Sequence, residues 1–142
     1  VGSLALSLRG HGASGGRVQL QEWGIGDYLR DVRRVLGLFH EPPVLVGHSM
    51  GGLVAQLLAA EAQLERLVLL APSPVGGMGR DAIRMVLRHP ITFWRAIRRR
   101  SFLALYQDPR VCRALLFGRE TPEEIVRAHQ ARLQEESWRA GS

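Results

Sequence analysis

The stretch from Pro43 to Ala55 constrains this chain more than any other. Val44-Leu45-Val46 is an apolar, β-rich run, Gly47-His48-Ser49-Met50-Gly51-Gly52 follows without a spacer, and Leu53-Val54-Ala55 opens an apolar pattern of helical character. A strand that passes into a helix over so few residues has to turn sharply, which brings the two backbones close together. Gly47 and Gly51 flank Ser49 where a side chain is expected to clash, and Gly52 adds room on the same side. Ser49, at the apex, is expected to hold a strained backbone conformation costing on the order of 1 to 3 kcal/mol, with its hydroxyl clear of the sheet.

The surrounding pattern predicts an α/β architecture. Short β-rich runs at Ser3 to Leu8, Val44 to His48 and Leu67 to Leu70 alternate with helical patterns, which argues for a parallel sheet covered by helices. Tyr28, Leu29, Val32, Val35, Leu36 and Phe39 recur at helical spacing between the first two strands, with Asp27 near the start of that helix. Gly10, Gly12, Gly15 and Gly16 mark the loop after the first strand. From Pro74 onward the pattern is helical, so the chain divides into an α/β core segment, 1–74, and a helical, Arg-rich segment, 75–142. Asp108-Pro109 and Thr121-Pro122 each read as a cap before a proline at the first helical position, and Thr121 with Glu124 has capping-box spacing. The last helix is expected to carry Ile125, Ala128, His129, Arg132, Leu133 and Trp138 on a mixed face, where His129 packs or hydrogen-bonds.

Composition narrows the partners. With 46% apolar and 23% charged residues the chain reads as soluble and globular, and no apolar run is long enough to cross a bilayer. No charged segment precedes Leu4-Ala5-Leu6 to indicate a signal peptide, and the lone Cys112, read as a small core residue, demands no oxidising compartment. A cytoplasmic location is the expectation, with an upstream signal left open. Every one of the 19 basic residues is arginine, and six Arg and six acids in 1–79 against thirteen Arg and seven acids in 80–142 put the whole +6 excess in the second half. No recognition helix, zinc motif or RNA-binding motif accompanies that charge, so nucleic acid is not an expected partner. The histidines are scattered and the cysteine has no partner, so no metal is expected. The glycine segment lacks a G-K-[ST] ending and does not fit G-x-G-x-x-G, which argues against nucleotide binding.

Gly47-His48-Ser49-Met50-Gly51-Gly52 resembles the nucleophile elbow of the α/β-hydrolase superfamily, in its lipase, esterase and lysophospholipase-like branch. Ser7-Leu8-Arg9-Gly10-His11-Gly12-Ala13-Ser14 is similar to the D-x-R-G-x-G-x-S strand and loop of these enzymes, with Ser7 where the family commonly has Asp. Leu67 to Pro74 is similar to the strand after the elbow. The resemblance covers residues 3–74 closely and the remainder as a helical cap. It implies a partial parallel sheet with flanking helices plus that cap, Ser49 as nucleophile, no cofactor, and a small-molecule ester or lipid-like substrate. The Met50 N–H, one residue past Ser49 at a helix N-terminus, is the expected oxyanion donor.

The same resemblance places the family's first strands and their His-Gly oxyanion loop ahead of Val1, and the Asp and His of the triad beyond Ser142. It also interposes a strand between 3–8 and 44–48, so open sheet edges are expected. Within the chain, His48 is expected to point away from the serine hydroxyl, His11 to hydrogen-bond structurally in the glycine loop, and His40, His89 and His129 to be solvated or packed. Ala71-Pro72-Ser73-Pro74 carries no carboxylate at the alternative acid position, and Asp81 reads as a first-turn residue of a cap helix. Ser49 argues against the dehalogenase and epoxide-hydrolase branches, where the resemblance would require Asp.

Pro90 to Leu105 interleaves Phe93, Trp94, Ile97, Phe102 and Leu105 with Arg95, Arg98, Arg99 and Arg100. One reading is attraction of anionic substrates or weak contact with a membrane surface through those arginines. The simpler reading is a solvated face over an apolar underside. For the chain as a whole, the leading expectation is a serine hydrolase cleaving esters, with acid and base outside this chain. The alternatives are a catalytically silent fragment or a lipid- or protein-binding module, and, by analogy with related folds, a cofactor-free haloperoxidase.

Overall fold

Val44–His48 forms a strand, β1, and Arg66–Leu70 a second, β2, paired in parallel with Val46 opposite Val68 and Gly47 opposite Leu69. The structure is a computed structural model that describes residues 2–77 and 79–141; the side chains of Gly79, Arg80, Asp81, Ala82 and Met85, and with them the first-turn role expected of Asp81, lie outside the described residues. Parallel neighbours need a crossover, and here it contains a helix, α2 (Met50–Ala59), that starts directly after Ser49. Alternation along the strands then divides the sheet. Gly47 is buried against α2, while Val44, Val46, Val68 and Leu70 are 46%, 58%, 40% and 51% exposed on the opposite face.

The helix α1 (Ile25–Leu36) buries its stripe against α2: Tyr28, Val54, Leu58 and Ala140 form the cluster, with Leu8, Trp23, Ile25, Leu29, Val32, Leu36 and Met50 packed around it. Complete burial of side chains such as Leu58 and Val54 is worth about 1.5 to 3 kcal/mol each. The helix closes at Gly37, so Phe39 falls beyond it and is half exposed. Gly10, Gly12 and Gly16 in the preceding loop all take positive φ.

Residues 3–8 do not form the expected strand. A ladder needs a hydrogen-bonded neighbour, and among the described residues β1 pairs with β2 alone. The segment is held by side chains instead, with Leu8 in the Tyr28 cluster and Ser14 Oγ donating to the Ser7 carbonyl at 2.6 Å.

The chain divides into two compact units, Val1–Met78 with Arg139–Ser142, and Gly79–Trp138. The second is helical: α3 (Gly79–Arg88), α4 (Pro90–Arg99), α5 (Leu103–Tyr106), α6 (Pro109–Leu116) and α7 (Glu123–Gln130). Ala96, Ala104 and Leu105 pack with Phe93, Phe102, Tyr106 and Trp138, and Phe102 stacks on Trp138 at 4.7 Å. Asp108 caps α6 by accepting from the Arg110 and Val111 N–H groups at 2.9 and 3.5 Å, ahead of Pro109. Cys112 is buried on α6, and burial pushes its thiol pKa up.

The capping box expected from Thr121 and Glu124 is absent. Pro122 stays extended at ψ 142°, and its carbonyl accepts from the Ile125 and Val126 N–H groups, so Pro122 itself is the N-cap and Thr121 lies outside the helix. The helix also ends at Gln130, short of Arg132, Leu133 and Trp138, the last of which begins a separate turn, α8 (Trp138–Gly141). His129 Nδ1 lies 3.0 Å from the Ile125 carbonyl, and its ring meets Phe117 edge-on. Among the described residues no helix is long and apolar enough to cross a membrane.

Candidate active site

Ser49 joins β1 to α2 at φ 52° and ψ −120°. A side chain at positive φ crowds its own backbone, at a cost on the order of 1 to 3 kcal/mol that surrounding contacts must offset. Four hydrogen bonds do so. The Ser49 N–H donates to the Leu70 carbonyl at 3.1 Å, and the Ser49 carbonyl accepts from Gly52, Leu53 and Ser73 N–H at 2.9, 3.2 and 2.9 Å. The apex is thereby tied to α2, to the end of β2 and to the loop beyond it. Gln56 Nε2 reinforces that loop by donating to the Gly52 and Ser73 carbonyls, both at 3.1 Å.

Steric demand at the turn falls on two glycines. A Cβ on Gly47 would lie 2.5 Å from the Gly51 carbonyl oxygen and 2.8 Å from Ala55 Cβ and Gly52 Cα; one on Gly52 would lie 2.7 and 2.8 Å from Pro72 Cβ and Cα. A Cβ on Gly51 meets no described atom within 4 Å, contrary to the expected clash. The reason is helical rotation: Gly52 faces the strand and loop, while Gly51, about 100° around the axis, faces away.

Ser49 and His48 are exposed. Within α2, Gly52 and Leu53 N–H close on the Ser49 carbonyl, leaving Met50 and Gly51 N–H as the first-turn donors beside the serine, where the helix dipole favours negative charge. The Met50 side chain points inward to the Tyr28 cluster. Two open clefts of about 310 and 270 Å³ occur in this unit, lined respectively by residues that include Arg33 and Glu61 and by residues that include Arg9 and Asp31; neither is lined by Ser49.

Behind the elbow the glycine loop is clamped to α1 by an ion network that the sequence reading missed. Arg9 Nε and Nη2 reach Asp31 at 2.9 and 2.6 Å, Arg9 Nη1 reaches Asp27 at 3.1 Å, and the Arg9 backbone N–H also donates to Asp31 at 3.1 Å. The Arg9 hydrogen bond holds the Asp31 carboxyl below the usual range, and the Gly24 N–H does the same for Asp27. Arg9 also lies 5.1 Å over the Trp23 ring, whose Nε1 donates to Gly16 at 2.8 Å. The legible signal was Asp27 and Asp31 one turn apart on a helix that follows an arginine-bearing loop.

The histidines are dispersed. His11 Nδ1 lies 3.1 Å from the Arg9 carbonyl and its ring meets Tyr28 edge-on at 5.8 Å; His40 is exposed, and His89 is the N-cap residue of α4. Among the described residues no histidine or carboxylate hydrogen-bonds the Ser49 hydroxyl, and no group of three or more His, Cys, Asp or Glu converges as a metal site.

Comparison with known proteins agrees with this geometry. The model of the "Alpha/beta hydrolase family" matches residues 1–141. Epoxide hydrolase 4 of Mus musculus is 30% identical over 111 residues, covering 75% of this chain and 28% of that protein; the Homo sapiens protein of the same name is 30% identical over 110 residues with the same coverage. The sn-1-specific diacylglycerol lipase ABHD11 of Mus musculus is 41% identical over 75 residues, or 51% of this chain and 24% of that protein. The chain thus spans about a quarter of the length of the curated relatives it matches. No solved structure matches. A parallel strand pair, a serine held at positive φ between strand and helix, and a family match over nearly every residue lead to one conclusion: this chain belongs to the alpha/beta hydrolase family.

Proposed function

We propose that this chain carries the nucleophile of a serine hydrolase that cleaves a small-molecule ester or lipid-like substrate by acyl transfer. The single observation that carries the reading is the exposed Ser49 at φ 52°, at the N-terminus of α2. In this mechanism Ser49 Oγ adds to the ester carbonyl as its proton passes to a base, the Met50 N–H donates to the developing oxyanion, and collapse expels the alcohol. The base and its acid partner are assigned to sequence outside this chain, whose match spans about a quarter of each relative.

The relatives' names combine an epoxide hydrolase with a lipase, and the two chemistries place different demands on the elbow side chain. A carboxylate that opens an epoxide leaves an ester, which water can cleave. A serine oxygen would leave an ether, which it cannot. An acyl group on Ser49 is itself an ester, so the residue present supports ester turnover.

A fluorophosphonate probe on the folded chain, read by mass spectrometry of the Ser49 peptide, tests the proposal. Without a triad base, and with one oxyanion donor placed outside this chain, at most a residual enhancement on the order of 10³ to 10⁴ over water is expected, and added imidazole should accelerate labelling by standing in for the base. Ser49→Ala should abolish the adduct. A folded chain that stays unlabelled with and without imidazole overturns the reading in favour of a catalytically silent binding module.

A further inference from the structure

The helix α4 carries apolar side chains where a solvated helix carries polar ones. Ala96 is fully buried and Phe93 packs on its cluster, which fixes the inward face. At 100° per residue, Ile91, Trp94, Arg95 and Arg98 then lie on the opposite side, and Ile91 and Trp94 are 67% and 61% exposed. The adjoining α3 adds Ile83 and Leu87, one turn apart and 62% and 77% exposed. The Arg98 guanidinium lies 5.6 Å from the Trp94 ring centroid. From Ile83 to Arg100 the chain contains Arg84, Arg88, Arg95, Arg98, Arg99 and Arg100, all exposed, and no acid.

A merely solvated face over an apolar underside does not account for Ile91 and Trp94, because the underside is already formed by Phe93 and Ala96. An apolar protein surface would have to desolvate uncompensated guanidiniums. An anionic lipid surface satisfies both features. Indole and aliphatic groups enter the headgroup boundary, while arginines extend along it to the phosphates. We propose that α4, through Ile91, Trp94, Arg95 and Arg98, docks this chain on anionic bilayers. The proposal does not depend on the hydrolase reading.

The test uses the full chain and phosphatidylcholine vesicles with or without phosphatidylserine, read by co-sedimentation. Phosphatidylserine should tighten binding roughly tenfold or more, and added salt should weaken it. Arg95→Gln with Arg98→Gln should weaken it about 30-fold, since each arginine near an anionic surface is worth roughly fivefold. Ile91→Ser with Trp94→Ser should lower it by roughly tenfold or more, from the apolar area no longer buried. All four side chains are exposed, so far-UV circular dichroism should stay unchanged, and Ser49→Ala should bind vesicles like the parent. Equal binding to both vesicle types, no binding, or binding indifferent to the Ile91/Trp94 pair overturns the proposal. So does self-association that the Ile91/Trp94 variant abolishes in a chain that ignores vesicles, which would assign this face to a second copy.

Discussion

Replacing Gly47 and Gly51 by alanine in turn separates steric demand from sequence pattern at the elbow. Both glycines belong to the same motif, yet a Cβ at Gly47 would press to 2.5 Å on the Gly51 carbonyl oxygen and 2.8 Å on Gly52 Cα, while one at Gly51 meets no described atom within 4 Å. The atoms opposing Gly47 include backbone, so relief requires β1 and α2 to separate. Overpacking of this kind costs about 1 to 3 kcal/mol, and rigid opposing backbone puts Gly47→Ala near the upper end, about 3 kcal/mol. Gly51 lies within α2, where alanine is favoured over glycine by about 0.5 to 1 kcal/mol, so Gly51→Ala should be neutral or mildly stabilising. Urea unfolding followed by circular dichroism reads both. With a slope of about 2 kcal/mol per molar, Gly47→Ala should lower the midpoint by about 1.5 M while Gly51→Ala leaves it unchanged or slightly raised. Equal losses for the two variants, or a Gly47→Ala midpoint matching the parent, would refute the steric account.

Ser49→Gly should stabilise the fold by about 1 kcal/mol in the same assay, because relief of positive-φ strain outweighs glycine's added unfolded-state entropy, and it should abolish fluorophosphonate labelling; a destabilised variant would mean the turn stores no strain at Ser49. Asp31→Asn should cost about 2 kcal/mol at neutral pH, through loss of charge-assisted bonds to a part-buried Arg9. The folded Asp31 carboxyl titrates below its unfolded value of about 3.9, so its contribution is present above that pH and disappears as pH falls through the lower folded value. Parent and variant stabilities should therefore converge in acid, and parallel pH profiles would show that the ion pair contributes nothing.

Local pattern was a sufficient guide wherever the deciding interactions are local. β1 follows from Val44-Leu45-Val46, the cap of α6 from Asp108-Pro109, and the sharp turn at Ser49 from glycines that admit it. It failed at Thr121, because Pro122, at ψ 142°, sits outside the helix and takes the cap position itself. Which glycine of the elbow is indispensable also lay beyond it, because the clash at Gly52 comes from Pro72, twenty residues on. The Arg9 clamp was beyond it too, since a glycine loop and a helix face become partners only once the chain between them has folded back. The sequence by itself determined the α/β alternation and the serine between strand and helix, because spacing and backbone preference encode those within a few residues. Only the tertiary structure decided that 3–8 finds no strand partner among the described residues and that Ile91 and Trp94 face outward, because strand pairing and burial depend on what lies alongside in space.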